Sequence, residues 1–383
     1  MKIAFAMYGT GLAGGVRAIF EVANRLSERG YDVNIIALGG DHSWFRVRVP
    51  ILYVKPPRLL SMGITTYKML RRMGAKPRSS YFDVDGFAKR LGFRADLVRA
   101  LAEALGSIKP DVAIATWYPT ALSVWASGVD RPFFFMQDFY ELVQEADGIY
   151  GLRLFEAVLR LPFHFLAIST FTRDLILEHN KSAKITVTGV GVDMNIFHPR
   201  GTRIIDLNKP IVMAIIRGAK YKGDDVAIKA LNLIGRKLPI HAVLVGNKGV
   251  VNKLLREERP RFTYTVFSNV DDETLAKLYS SSDVFIFTSY KESFGLPPLE
   301  AMASGTAVVM TDCGGVRDYV VDGYNSLVVP PGDPEAVANA TIEILRNDRL
   351  RDRLIRGGVE TARQWTWDRV VDKFEEAIRG DKP

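Results

Sequence analysis

The sequence is poor in cysteine and has no long uninterrupted apolar segment. Its 383 residues include a single cysteine, Cys313, which excludes an intramolecular disulfide framework. The first residues lack the long apolar core and the small-residue cleavage site of a signal peptide. The most apolar later stretch, residues 152–168, is interrupted by charged side chains and so lacks the run of about 20 apolar residues that a membrane span needs. We therefore expect a cytosolic chain whose contact with a membrane, if there is one, is peripheral and on the cytoplasmic face.

Acidic residues are absent from residues 42–82, although the whole chain carries a net charge of +8. This segment holds nine basic residues: Arg46, Arg48, Lys55, Arg58, Lys68, Arg71, Arg72, Lys76 and Arg78. One interpretation is a solvated surface of loops and helices. The other is a face, residues 46–78, that docks on anionic lipid headgroups or on an acceptor with a lipid-linked diphosphate, since each basic side chain contributes about 1 kcal/mol there. We expect no nucleic-acid partner, because the sequence shows no zinc module and no aromatic residues interleaved with the basic ones.

The length of the chain predicts two domains, because 383 residues are too many for one ordinary hydrophobic core. The first half opens with a strand at residues 2–8, a glycine-rich turn, a helix at residues 16–29 and a strand at residues 33–38. This order is typical of a parallel sheet. A second alternation of strands and helices starts at Ile211, after a polar, irregular stretch.

We therefore predict an α/β protein with two Rossmann-like domains in series and a cleft between them. The first domain is placed at residues 1–197 and the second at residues 198–364. An amphipathic helix at residues 365–383 is predicted to pack back on the first domain.

The glycine-rich turn after the first strand satisfies the pattern G-x-G-x-x-G at Gly9, Gly11 and Gly14. This pattern is typical of dinucleotide-binding oxidoreductases. In those enzymes an acidic residue at the end of the second strand holds the ribose, whereas here Asp41 comes late, after two further glycines. Whatever the ligand, such glycines let backbone N–H groups and a helix N-terminus approach an anion, for example a diphosphate. A tight turn that needs positive φ is the simpler alternative.

The most informative segment, residues 291–305, follows the predicted strand Val284–Phe287 at the edge where open parallel sheets bind ligands. We expect Pro298 to open a helix and Glu300 to lie in its first turn. A sugar nucleotide needs carboxylates for vicinal hydroxyls and N–H donors or cations for its diphosphate, and this segment offers both. The alternatives are a solvated loop acid for Glu292 and a helix-capping acid for Glu300.

Two cations, Arg217 and Lys222, follow the predicted strand Ile211–Ile216. Negative charge accumulates on the leaving diphosphate while a transferred sugar becomes oxocarbenium-like. Fixed positive charge at that position stabilises the transition state more than the ground state. The alternative is a pair of solvated surface cations near Asp224 and Asp225.

These motifs together resemble the GT-B family of retaining glycosyltransferases known as family 4, over nearly the whole chain. The residues that carry the resemblance are Gly14-Gly15-Val16-Arg17, Gly191-Val192-Asp193 with Phe197-His198-Pro199, Arg217 with Lys222, Val245-Gly246, Ser282-Asp283-Val284, residues 292–300, and Gly314-Gly315 with Asp322-Gly323. The resemblance implies a hexosyltransferase that moves a sugar from a nucleotide donor with retention of anomeric configuration, with no required cofactor or metal. The alternatives are a sugar-nucleotide epimerase on the same fold and an NAD(P)-binding oxidoreductase.

By position, the resemblance implies that Arg217 and Lys222 bind the donor phosphates, Glu292 the sugar hydroxyls and Glu300 the ribose. The other implied donor-binding residues are Gly14, Gly15, Gly246, Phe294, Gly295 and Leu296, with Gly15 contacting the diphosphate across the cleft. The donor is expected to be a UDP-, GDP-, ADP- or dTDP-sugar. The acceptor is expected to be a glycan, a lipid-linked molecule or a small molecule. The second domain, residues 198–364, is expected to bind the donor, and the first domain, residues 1–197, the acceptor.

The sequence departs from the family after the predicted strand at residues 133–136. Many relatives carry a His or a His-Asp pair there, whereas this chain has Gln137 and Asp138. We predict that Asp138 belongs to the catalytic site and orients either the donor sugar or the acceptor. The alternative is a helix N-cap at the end of a strand. His164 lies among apolar residues and is predicted to be structural.

Overall fold

The computed structural model of the chain describes residues 1–54, 93–201 and 203–380. In this part of the chain the strands form two sheets, and every pair of neighbouring strands is parallel. The first sheet has the order β3-β2-β1-β4-β5-β6-β7, with β1 (Lys2–Met7), β2 (Asp32–Ala37), β3 (Ile51–Tyr53), β4 (Val112–Ala115), β5 (Pro132–Met136), β6 (His164–Ala167) and β7 (Lys184–Val187). The second has the order β10-β9-β8-β11-β12-β13, with β8 (Ile211–Ile216), β9 (His241–Gly246), β10 (Thr263–Phe267), β11 (Val284–Phe287), β12 (Ala307–Thr311) and β13 (Leu327–Val329).

Twelve α-helices are described, and most of them connect successive strands. They are α1 (Gly14–Glu28), α2 (Phe93–Ile108), α3 (Tyr118–Ala126), α4 (Tyr140–Leu159), α5 (Thr170–His179), α6 (Asp224–Lys237), α7 (Lys248–Glu258), α8 (Asp272–Ser280), α9 (Leu296–Ala303), α10 (Pro334–Arg346), α11 (Asp348–Gln364) and α12 (Trp367–Gly380). Short 3-10 turns lie at Lys220–Lys222 and Gly315–Asp318. In the described residues no helix is both long enough and apolar enough to cross a bilayer.

The strand order of each sheet reverses beside its first strand. In the first sheet β1 lies between β2 and β4, and in the second β8 lies between β9 and β11. The loops at the carboxyl ends of these strands diverge there, and they leave the crevice in which doubly wound sheets bind ligands. The topology therefore places candidate sites after β1 and β4 and after β8 and β11.

The last helix, α12, returns to the first sheet, as predicted. Its Phe374 is fully buried, and its ring meets that of Phe135 on β5 edge to face, with centroids 4.9 Å apart. Beside α1, the Arg29 guanidinium lies 2.5 Å from Glu375, which also accepts a 2.9 Å hydrogen bond from the Tyr31 hydroxyl. An apolar contact flanked by ion pairs thus ties the end of the described chain to its beginning.

The predicted start of one helix is wrong, and most of the predicted basic face lies outside the described residues. The helix α9 begins at Leu296 rather than Pro298, because Gly295 adopts φ +86° and opens the helix two residues earlier. Glu300 is therefore its fifth residue, beyond the first turn. Of the basic residues at 46–78, only Arg46 and Arg48 belong to the described chain, where both are exposed, and the others lie outside the described residues.

Candidate active site

The loop after β8 carries Arg217 to the carboxyl edge of the second sheet. Ile216 pairs with Gly246 at the end of β9, so both loops leave the sheet side by side. The buried Asp224 carboxylate accepts backbone N–H bonds from Arg217 (3.0 Å) and Gly218 (2.5 Å), which fixes the loop. The Arg217 guanidinium is exposed and makes no ion pair with the described residues. Its charge is available to an anionic ligand.

Lys222 and Glu292 form the central ion pair of the site, with 2.6 Å between Nζ and Oε1. Glu292 is 6% exposed, and its Oε1 also accepts a 2.8 Å hydrogen bond from Ser289 Oγ. Its backbone pairs with the loop after β12, donating to the Cys313 carbonyl and accepting from the Gly315 N–H. Glu292 is therefore a fixed, buried carboxylate and not a solvated loop acid.

The next residue, Gly223, lets the backbone of Lys222 come close enough for its side chain to reach Glu292. Gly223 has φ +64°, and a Cβ at this position would lie 2.1 Å from the Thr288 carbonyl oxygen. The loop from β8 thus passes directly over the loop from β11. No side chain fits between the two backbones.

Glu300 on α9 is the second buried acid, at 6% exposure. Tyr279 Oη donates a 3.4 Å hydrogen bond to Oε2, and Arg17 Nη1 lies 3.7 Å from Oε1. Burial is the main cause that raises the pKa of Glu300, and the charges of Arg17 and Arg217 act in the opposite direction. The position within α9 rules out the interpretation of Glu300 as a first-turn cap.

The residues between these two acids start a helix. The Phe294 ring is buried against Tyr319 and Trp365, with centroids 5.3 and 5.4 Å apart, so that only its backbone can face a ligand. Gly295 and Leu296 open α9, whose first N–H groups have no acceptor within the helix. Such a helix start can bind an anion.

Residues 9–15, which we call the glycine loop, lead from β1 into the start of α1. They lie at the carboxyl edge of the first sheet. Gln137, after β5, donates to the Gly15 carbonyl at 3.2 Å, and a Cβ on Gly15 would lie 2.9 Å from its Oε1. A Cβ on Gly14 would meet no atom within 4 Å, so this residue borders open space. Asp41 is exposed and accepts hydrogen bonds from the backbone and hydroxyl of Ser43.

Asp138 is buried below this edge. Its Oδ2 accepts a 2.8 Å bond from the N–H of Tyr118, the first residue of α3, while Oδ1 has no partner. Burial raises the pKa of Asp138 well above its ordinary value, although the Tyr118 bond opposes this. Asp138 is not the N-cap of the following helix, since Phe139 occupies that position of α4, but its bond to Tyr118 satisfies the first N–H of α3. In the described chain no contact joins Asp138 to the charged residues at the edge of the second sheet, which are Arg217, Lys222, Glu292 and Glu300.

Several contacts cross from the first sheet to the second and close the cleft. The Phe139 and Tyr221 rings meet edge to face at 5.4 Å, and Ser169 Oγ donates to the Ser293 carbonyl at 2.6 Å. Arg17 on α1 forms a hydrogen-bonded ion pair with Asp272. Roles for Arg17 and Asp272 were missing from the sequence interpretation. The available signal was the place of Arg17, one turn after the glycine loop.

No group of three or more His, Cys, Asp or Glu side chains in the described residues is arranged to hold a metal ion. The chemistry of the site that is visible in this part of the chain is that of two buried carboxylates, two cations and a glycine loop.

Comparison with known proteins identifies the origin of this arrangement. The family model Glycosyltransferase Family 4 matches residues 12–196, and the model Glycosyl transferases group 1 matches residues 200–361. The chain belongs to this glycosyltransferase family. The two matches follow one another along almost the whole chain; the second contains the whole second sheet, and the first contains the first sheet except β1.

Curated relatives are 25–30% identical to this family member over the aligned residues. A D-inositol 3-phosphate glycosyltransferase of Corynebacterium aurimucosum is 30% identical over 224 residues, which are 53% of each chain. A phosphatidyl-myo-inositol mannosyltransferase of Mycobacterium leprae is 30% identical over 58% of this chain and 62% of its own. The chain thus spans about half to two thirds of the length of these relatives. A D-inositol 3-phosphate glycosyltransferase of Corynebacterium diphtheriae is 25% identical over 97% of this chain and 91% of its own.

Solved structures confirm the predicted GT-B fold of this glycosyltransferase family member. A sucrose-phosphate synthase from Thermosynechococcus elongatus superposes with a TM-score of 0.78 at 18% identity, over 99% of this chain and 98% of that one. The HepE protein of Anabaena, solved in complex with UDP-glucose, superposes with a TM-score of 0.75 at 17% identity, over 99% and 100% of the two chains. These matches do not favour the oxidoreductase or the epimerase alternative.

Proposed function

We propose that the protein is a retaining glycosyltransferase that moves a sugar from a nucleotide-sugar donor to a glycan, lipid-linked or small-molecule acceptor. The observation that carries this proposal is the ion pair between Lys222 and the buried Glu292, 2.6 Å apart, on the loop that also carries the exposed Arg217, which has no ion pair among the described residues. A carboxylate that can accept sugar hydroxyls lies here next to two cations that can neutralise a departing diphosphate. The HepE structure holds UDP-glucose on the same fold, which supports a nucleotide-sugar ligand.

In this proposal the two halves of the chain bind different substrates. Residues 198–364 bind the donor: Arg217 and Lys222 contact the phosphates, Glu292 the sugar hydroxyls and Glu300 the ribose. The first turn of α9 and Gly246 complete the donor site. Residues 1–197 bind the acceptor, and their glycine loop, with Gly14 and Gly15, reaches the diphosphate.

The reaction proceeds on one face of the sugar. The bond between the anomeric carbon and the donor phosphate breaks, and the acceptor oxygen forms a new bond to that carbon on the same side. The acceptor proton passes to the leaving phosphate oxygen, so no enzymic general base is needed. Asp138, with its free buried Oδ1, orients the donor sugar or the acceptor.

The acceptor class is inferred from relatives and from charge. The names of two curated relatives specify inositol 3-phosphate and phosphatidyl-myo-inositol, both of which carry an anionic group. An anionic acceptor would suit the basic residues at 46–78. Contact of this segment with a membrane stays a prediction, because most of it lies outside the described residues.

Substitution of the proposed phosphate and sugar ligands tests the function. Thermal-shift screening against UDP-, GDP-, ADP- and dTDP-sugars first identifies the donor. We then expect Arg217→Ala and Glu292→Gln each to lower kcat/KM about 10²- to 10³-fold, as the loss of one electrostatic contact in a transition state does. NMR of the product should show the donor's anomeric configuration.

The matched control is Lys229→Ala, which removes an exposed cation of α6 paired with Asp225. It should leave turnover unchanged. Unchanged turnover in Arg217→Ala and Glu292→Gln would show that the site is wrongly assigned. Turnover of the donor without any acceptor, giving an isomerised sugar nucleotide, would indicate an epimerase.

A further inference from the structure

Arg17 is a cation on α1, in the first half of the chain. It contacts two carboxylates of the second half, those of Asp272 and Glu300. It lies in the first turn of α1, two residues after Gly15, and its side chain is 14% exposed. Its Nη2 donates to Asp272 Oδ1, and its Nη1 lies 3.7 Å from Glu300 Oε1. One guanidinium therefore links the glycine loop to the acid that we assign to the ribose.

The Glu300 carboxylate has unused capacity to accept hydrogen bonds. Its one hydrogen bond in the described chain is the 3.4 Å contact from Tyr279 to Oε2, at the long limit for such a bond. Arg17, at 3.7 Å, attracts Oε1 without hydrogen bonding to it. Because a carboxylate can accept several hydrogen bonds, most of the acceptor capacity of Glu300, including all of that of Oε1, is left for a partner from outside the protein.

The charges around Glu300 influence whether its carboxyl group is ionised when a ligand binds. Four groups face it: Arg17 from α1, Asp272 and Tyr279 from α8, and Arg217 from the loop after β8. Burial and the Asp272 charge favour the protonated acid, whereas Arg17 is the largest influence in favour of the carboxylate. An ionised carboxylate accepts hydrogen bonds on both of its oxygens, whereas a protonated acid presents an O–H donor on one of them and is a weaker match for two hydroxyl donors.

We propose that Arg17 is a positioning residue for ribose recognition, which keeps Glu300 ionised and in place so that it accepts the 2′- and 3′-hydroxyls of a nucleoside diphosphate. This inference rests on the proposed function, which assigns Glu300 to the ribose. Since Arg17 belongs to the same helix turn as the glycine loop, it also couples ribose binding to the approach of that loop to the diphosphate.

The test compares ribo- and 2′-deoxyribonucleotides by titration calorimetry. UDP, GDP, ADP and dTDP are titrated into the wild type, and the tightest-binding of the three ribonucleotides is compared with its own 2′-deoxy form between pH 5 and 8. A charge-assisted hydrogen bond corresponds to a preference of about tenfold or more for the ribonucleotide. We expect Arg17→Ala to reduce this preference to less than about threefold, and Arg17→Lys to restore part of it.

The pH dependence separates a positioning role from a merely structural one. The affinity for the ribonucleotide should be full above the pKa of Glu300 and should be lost as the pH falls through it. Removing Arg17 removes a charge that lowers this pKa, so the loss should begin at a higher pH in Arg17→Ala. In Glu300→Gln the preference should be weak and independent of pH.

The control is Arg200→Ala, which removes an ion pair to Glu273, the neighbour of Asp272 on α8, without touching Glu300. Its preference and pH profile should match the wild type. If the wild type binds none of the diphosphates, the proposed function itself is wrong. If the wild type binds them but favours dTDP or a 2′-deoxy form, or if Arg17→Ala keeps the preference and the pH profile, the role of Arg17 is refuted.

Discussion

His164 is a buried titratable residue that lies away from the charged groups of the cleft. Its Nε2 hydrogen bonds with Thr186 Oγ1 at 2.8 Å, and its ring stacks on Phe133 with centroids 4.9 Å apart. Burial, with the nearby charges of Lys184 and Arg131, lowers the pKa of His164 to about 4. These contacts agree with the structural role that the sequence predicted for this histidine.

The depressed pKa of His164 predicts a loss of stability in mild acid. Between pH 6.5 and about 4, His164 binds a proton in the unfolded chain but not in the folded one. The free energy of unfolding therefore falls as the pH falls. Substitution His164→Asn removes this titration and should flatten the dependence over that range. Urea denaturation of both proteins at several pH values measures it, and parallel curves from pH 7 to 4 would contradict the prediction.

The residues of the site could be predicted unevenly from the sequence. Lys222 and Glu292 were expected at one sheet edge, because both follow strands that an open parallel sheet brings together, and the structure places them in contact. The link from Arg17 to Asp272 joins residues 255 positions apart and depends on how the two halves pack. No local pattern encodes such a contact.

At the scale of an element, the 3-10 turn at Lys220–Lys222 depends on the glycine that ends it. Gly223 combines φ +64° with a backbone contact that leaves no room for Cβ. We expect Gly223→Ala to destabilise the fold by about 2–4 kcal/mol, from the left-handed conformation and from the displaced backbone together. Because Lys222 would move with the turn, donor binding should weaken too, and urea denaturation with calorimetry reports both effects.

Gly323 provides the matched control for this substitution. It has a similar φ of +71°, but a Cβ there would meet nothing within 4 Å. Gly323→Ala should therefore cost only about 1–2 kcal/mol, from the conformation alone. Equal losses in the two variants would show that the contact between the loops has no energetic importance.

The elements themselves were predicted best where buried apolar runs end in polar residues. Strands β8 and β11 have the predicted bounds. Helices α7 and α11 were not predicted. In α11 the pair Gly357 and Gly358 disfavours a helix locally, and its reason lies in packing, since a Cβ on Gly357 would lie 2.3 Å from the Tyr324 carbonyl oxygen.

At the scale of the whole molecule, α12 joins the two halves of the chain through Phe374. Its ring is fully buried against Phe135. We expect Phe374→Ala to lower the free energy of unfolding by about 3–5 kcal/mol, whereas Phe374→Leu should lose less than about 1.5 kcal/mol. Urea denaturation measures both, and a loss below about 1 kcal/mol in the alanine variant would show that α12 contributes little to the fold.

The return of α12 to the first sheet also affects the order in which the chain can fold during synthesis. Phe374 leaves the ribosome more than two hundred residues after Phe135. At about 5–20 residues per second, part of the apolar face of β5 stays uncovered for roughly 10–50 s. The nascent first half therefore presents a hydrophobic surface to chaperones until the last helix is translated.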